Sequence, residues 1–217
     1  MNSFNEYLKP TEFLDFDKKR VTQKALEITE GKESDTKKAI ALFYWVRDQI
    51  KYNMYSYLPE YKSNLKASTT LRRERGFCMS KAVLLSALAR AIDIPAKVHM
   101  VDIKNHKAPD WVVEFMGSKN FHCHGYSELY LNGKWVKATP VFDKTTAIKA
   151  GYTPLVEFNG SDDALLSKYD EEGNLFVEYL EDYGTFIDLP LGQIQEIFKE
   201  KYGTIYTEFK FKRPNKK

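Results

Sequence analysis

The stretch Arg75-Gly76-Phe77-Cys78-Met79-Ser80-Lys81-Ala82-Val83-Leu84-Leu85-Ser86-Ala87-Leu88-Ala89-Arg90 constrains the fold more than any other. A glycine and a cysteine stand just ahead of a strongly helix-forming run. Ala82, Leu85, Ala89 and Ile92 fall on one helical stripe, with Leu84 and Leu88 beside it, so the helix is expected to lie deep in the molecule. Cys78 stands at its N-terminus, where unpaired N–H groups and the positive end of the helix dipole favour an anion. A thiolate nucleophile is one reading of Cys78, with fast alkylation expected well below about pH 8.5. A small buried thiol at the start of a core helix is the other.

Such a helix needs a core around it, and the composition supplies one. The chain has 217 residues, 43% of them hydrophobic, with 14 Tyr, 14 Phe and 3 Trp. One domain over residues 1–217 is the economical reading, with an extended lead-in at 1–17 and a basic tail at 205–217. The net charge is +3, from 33 basic and 30 acidic residues, and gives no reason to expect a nucleic-acid partner. Two cysteines, Cys78 and Cys123, cannot make a disulfide framework, and they suit a reducing compartment. The first 17 residues lack an apolar signal core, and no run of 18 apolar residues occurs. A cytoplasmic protein with no membrane partner is expected.

The pattern predicts helices over 18–29, capped by Gly31, and over 35–50, capped by Ser34. A loop carrying Tyr52, Tyr55, Tyr57 and Tyr61 follows, then a helical turn at 69–73. The central helix stops near Asp93 and Pro95. A strand is expected at 96–103, a loop at 105–120, a helical turn at 144–150, strands at 155–158 and 175–180, and a helix at 191–201. The clearest local signal is Asn132-Gly133 between two β-prone runs, a hairpin over 121–140.

That hairpin carries a base for the thiol. On a strand His122, His124, Tyr126, Glu128 and Tyr130 share one face, and Cys123 takes the other. A two-residue turn sets Leu131 opposite Lys134, Tyr130 opposite Trp135 and Glu128 opposite Lys137. The diagonal neighbours of His124 are then Thr139 and Asp143. Asp143 can orient His124, or it can cap the helical turn after it. Two histidines on one face, with no CxxC or HxxxH spacing, do not make a metal site, and no calcium loop is present. No metal or cofactor is expected.

Taken in order, these residues resemble the transglutaminase-like superfamily. The resemblance runs through Phe43-Tyr44-Trp45-Val46-Arg47-Asp48-Gln49-Ile50-Lys51-Tyr52, Arg75-Gly76-Phe77-Cys78, Ile94-Pro95-Ala96-Lys97, His124-Gly125-Tyr126-Ser127-Glu128-Leu129-Tyr130 and Gly133-Lys134-Trp135-Val136. The closer likeness is to bacterial members described as cysteine proteases, through residues 135–143, 154–160 and 178–186. The resemblance implies an α+β, papain-like fold in which a nucleophile helix packs against an antiparallel sheet. It implies a cysteine hydrolase acting on a peptide or protein amide, with Cys78 and His124 in the first two places of a Cys-His-Asp triad. It leaves open transglutaminase-type transfer to amines, or an idle, peptide-binding member of the fold. The family's usual acid falls at Thr139; Asp143, at the other diagonal, is therefore given the third role. The Cys78 N–H is the natural oxyanion donor, with Tyr52 and Trp45 as candidates for a second.

Overall fold

A computed structural model describes residues 4–56 and 61–203. Tyr57 and the basic tail at 205–217 lie outside the described residues. The elements run α1 (Lys19–Thr29), α2 (Asp35–Gln49), β1 (Lys51–Tyr52), α3 (Ala67–Arg73), β2 (Arg75–Gly76), α4 (Cys78–Arg90), β3 (Ala96–Asn105), α5 (Asp110–Met116), β4 (Asn120–Leu131), β5 (Lys134–Ala138), α6 (Lys144–Ala150), β6 (Val177–Phe186) and α7 (Leu191–Tyr202). The fold is α+β. An antiparallel sheet of order β5-β4-β3-β6 packs on α4, and α1, α2 and α3 close over the other side of that helix.

The central helix is buried as its apolar stripe requires. Every residue from Met79 to Arg90 is buried. Its start is set by two local devices. The Ser80 hydroxyl bonds back to Phe77, accepting from its N–H at 2.9 Å and donating to its carbonyl at 3.1 Å. Gly76 lets that hydroxyl approach, since a Cβ there would stand 2.5 Å from Ser80 Oγ. The helix ends where Asp93 takes a left-handed φ of 63° ahead of Pro95.

The hairpin has the expected register, with Leu131 opposite Lys134, Tyr130 opposite Trp135 and Glu128 opposite Lys137. Gly125 and Ser127 face α4. The Ser127 hydroxyl donates to the Ala82 carbonyl at 2.9 Å, and a Cβ on Gly125 would come within 2.9 Å of Met79 Cα. Tyr126 and Glu128 face the other way, against His99. Regular alternation fails at one place. The β3–β4 register shifts between Val101 and Ile103, and Cys123 takes a φ of 55°. This is a β-bulge opposite Asp102, whose carboxylate accepts the Cys123 N–H at 2.9 Å.

Three expectations need correction. The 105–120 loop contains α5, a short helix ended by Gly117 at φ 68°. Residues 155–158 are not a strand. Their backbone groups bond to side chains of α2: the Val156 carbonyl accepts from Arg47 at 2.9 Å, and the Phe158 N–H donates to the Tyr44 hydroxyl at 3.2 Å. The lead-in is packed rather than merely extended. Phe13 and Leu14 are buried, and Asp15 accepts from the Ser68 N–H and hydroxyl at 2.9 and 2.5 Å.

Candidate active site

Cys78 is half-buried at the N-terminus of α4, and His124 is buried in the middle of β4. Both line one cleft of about 410 Å³. Its walls are largely aromatic: Tyr52 and Tyr55 from the segment after α2, Trp111 from α5, Phe121 from β4, and Phe142 and Tyr152 around α6. The polar groups on the wall include Asn53, Asn105 and Thr146, and among the described residues no charged side chain lines it. Tyr52 reaches the site through the parallel β1–β2 pair, which sets it against Gly76, two residues before Cys78.

The electrostatics at the thiol differ from the expected resting thiolate. Burial pushes the Cys78 thiol up to about 11, against the pull of the Gly125, Met79 and Cys78 backbone N–H groups. Burial also pushes the His124 imidazole down to about 4. Both groups are therefore neutral near pH 7. The helix N-terminus favours the anion as anticipated, but desolvation outweighs it.

The acid expected behind His124 is engaged elsewhere. Asp143 is the N-cap of α6, accepting from the Thr146 N–H at 3.2 Å and the Thr146 hydroxyl at 2.7 Å. It also accepts the Tyr52 N–H at 2.9 Å and meets Lys51 Nζ at 3.4 Å. Burial raises its carboxyl, but these partners outweigh burial and hold it below the ordinary carboxylate value. Asp143 thus ties α6 to Tyr52. It makes no hydrogen bond to His124. His124 Nε2 and Thr139 Oγ1 are buried with no hydrogen-bond partner among the described residues. Trp45 lies outside the site: it packs against the core with Lys24 Nζ 5.7 Å from its ring and lines neither cavity beside Cys78.

Two features of the site were missed in the sequence. One is Gly125, whose missing side chain lets the strand carrying His124 touch the helix carrying Cys78. The alternation of small residues at 125 and 127 was the available signal. The other is a second imidazole. His122 Nδ1 lies 2.5 Å from Asp102 Oδ2, and His122 lines a smaller cavity that Cys78 and His124 also line. Only the bulge pairs Asp102 with His122, and nothing in the sequence marks a bulge there. Among the described residues no group of three or more His, Cys, Asp or Glu side chains could hold a metal, and no helix is long and apolar enough to cross a membrane.

Several solved structures are similar to parts of this chain. The structure of a putative cysteine protease from Cytophaga hutchinsonii has a TM-score of 0.51 and 17% identity, covering 86% of this chain and 55% of that one. A putative protease from Parabacteroides distasonis has a TM-score of 0.40 and 14% identity, covering 63% of this chain and 25% of that one. A TGase structure has a TM-score of 0.41 and 18% identity, covering 58% of this chain and 32% of that one. The chain thus spans about half the length of the first and less of the others. No curated protein matches it. Residues 22–140, more than half of the chain, match the transglutaminase-like superfamily, and the chain belongs to that superfamily.

Proposed function

We propose that this protein is a thiol-dependent acyl-transfer enzyme, a cysteine hydrolase acting on peptide or protein amides. Cys78 is the nucleophile, His124 its base, and Asp143 a positioning residue that acts through Tyr52 and α6. The observation that carries the reading is that Cys78, at a helix N-terminus, and His124 share the wall of one cleft. Superfamily membership supports it.

With both groups neutral at rest, the thiol proton moves to His124 as sulfur attacks the amide carbon. A C–S bond forms, and the carbonyl π pair moves onto oxygen. The backbone N–H groups of Gly125, Met79 and Cys78, which favour negative charge at the sulfur, are the candidate donors to that oxyanion. Collapse breaks the C–N bond, and His124 returns its proton to the leaving amine. Water then hydrolyses the thioester. A cleft wall without charge and rich in aromatic rings suits an acyl donor whose neighbouring side chain is neutral and apolar.

A second reading, a catalytically idle cleft that binds peptide, is favoured by the partnerless His124 Nε2. One experiment separates the two: a panel of peptide and amide substrates, with and without a primary amine, and Cys78→Ala as control. Cys78-dependent release of the leaving amine is the expected result, with the acyl group ending on water. Capture mainly by the amine would make the enzyme a transamidase. Binding without Cys78-dependent turnover across the panel would favour the idle reading.

A further inference from the structure

We propose that the His122–Asp102 pair is a second catalytic acid–base unit, which activates the acceptor that releases the acyl group from Cys78. This rests on the acyl-transfer reading above.

Two cavities flank Cys78. Both include Tyr52, Met54, Phe121 and His124 in their walls. The larger has room for an acyl group with an aromatic side chain. The smaller, about 70 Å³, holds a few waters and little more. His122 lines only the smaller one.

His122 has the orientation that His124 lacks. Asp102 is buried, and its carboxylate holds three donors: His122 Nδ1 at 2.5 Å, the Cys123 N–H at 2.9 Å and the Tyr183 hydroxyl at 3.0 Å. Burial pushes this carboxyl up, but the three bonds outweigh it and keep it anionic. An anionic partner at Nδ1 fixes the proton there, so Nε2 of the neutral ring carries the lone pair. His122 Nε2 has no hydrogen bond among the described residues. The ring is also held from the side. Tyr202 stands edge-on at 5.0 Å, and its hydroxyl accepts the His122 backbone N–H at 2.7 Å. An imidazole whose tautomer is set by a buried carboxylate, on the wall of a cavity with room for a few waters, is built to take a proton from water.

In the step assigned to it, water in the small cavity attacks the thioester carbon and its proton passes to His122 Nε2. The tetrahedral intermediate collapses with breakage of the C–S bond. The departing Cys78 sulfur takes a proton from His122, which returns both groups to their resting state. The two histidines divide the work: His124 serves the attack by sulfur, His122 the attack on the thioester.

The test is the pre-steady-state hydrolysis of p-nitrophenyl butyrate by the intact chain. The wild type is expected to release a burst of about one p-nitrophenolate per protein, absent in Cys78→Ala and His124→Gln. His122→Gln is expected to keep the burst and slow the following turnover on the order of 100-fold. The acyl group then accumulates on Cys78, seen as an added mass on the intact protein. In His122→Ala, added imidazole is expected to restore turnover beyond its effect on His122→Gln and on the substrate alone, which a merely structural loss would not allow. An unchanged turnover in His122→Gln, an equal loss of burst and turnover, or no rescue by imidazole overturns this inference alone. A wild type with no Cys78-dependent burst overturns this inference, which needs deacylation to be the slower step, and a wild type with no Cys78-dependent turnover either overturns the acyl-transfer reading as well.

Discussion

Burial acts on Cys78 and His124 in opposite directions, and in each case it favours the neutral form. The thiol is pushed up to about 11 and the imidazole down to about 4. Alkylation of Cys78 by iodoacetamide is therefore expected to be slow at pH 7 and to rise towards pH 11, followed by mass spectrometry of the modified peptide. A rate that levels off below pH 8 would contradict a neutral resting thiol. Cys123, fully buried in the core and pushed up to about 12, is expected to stay unmodified while the protein is folded. His124 gives a second test, through stability. Unfolding restores its ordinary value near 6.5. Between pH 6.5 and 4 the unfolded chain therefore binds more protons at this site than the folded one. Stability falls as pH drops through that window, by about 3 kcal/mol for this residue. Denaturant midpoints at pH 7 and pH 4 should draw closer together in His124→Gln than in the wild type. An unchanged gap would mean that His124 is not held neutral by burial.

At the scale of elements, the site is the meeting of the α4 N-terminus with the middle of β4, and Gly125 sets their distance. Gly125→Ala brings a methyl group to 2.9 Å from Met79 Cα, which is backbone and cannot swing aside. The strand must move, at a cost of about 1–3 kcal/mol, and His124 moves with it. The expected result is a modest drop in denaturant midpoint with a loss of turnover greater than tenfold. Full activity with the methyl group present would show that His124 does not depend on this approach. The same elements show how far the sequence could be read. Helix α4, its stop at Asp93, the hairpin register and the role of Ser34 as a cap all follow from local rules: stripe, left-handed turn, Asn-Gly, side-chain acceptor. Cys78 and His124 were legible because each sits at a definite place in such an element. Asp143 was harder, since extrapolating the hairpin past Pro140 and capping α6 were both consistent with the sequence. The second outcome, with Tyr52 as an added donor, is a long-range contact. The 155–158 strap departs from its sequence pattern for a similar reason. Its apolar residues suit a strand, but its partners are Arg47 and Tyr44, more than a hundred residues earlier. The Asp102–His122 pair needed the bulge.

At the scale of the whole molecule, the helix that carries Cys78 is tied at its far end to three distant pieces of chain through one side chain. Arg90 is buried, and its guanidinium donates to the Ala96 carbonyl at 2.9 Å, the Lys9 carbonyl at 2.8 Å and the Ile187 carbonyl at 2.6 Å. These belong to the start of β3, the N-terminal lead-in and the segment between β6 and α7. A planar group with five donors in a fixed fork can serve three carbonyls at once, which an ammonium on a flexible stem cannot. Arg90→Met fills much of the space but leaves those carbonyls without their donor. The bond to Ala96 is buried, and its orphaned carbonyl costs about 1–3 kcal/mol; the Lys9 and Ile187 carbonyls, on exposed residues, can turn to water, so the expected loss is about 2–3 kcal/mol, read as a fall in the urea midpoint. Arg90→Lys is expected to recover only a fraction. The lead-in should also loosen, so amide exchange at Phe13 and Leu14 is expected to quicken in Arg90→Met relative to the centre of α4. If exchange instead rises evenly along the chain, the guanidinium is stabilising the fold as one unit rather than fastening the lead-in to the end of the nucleophile helix.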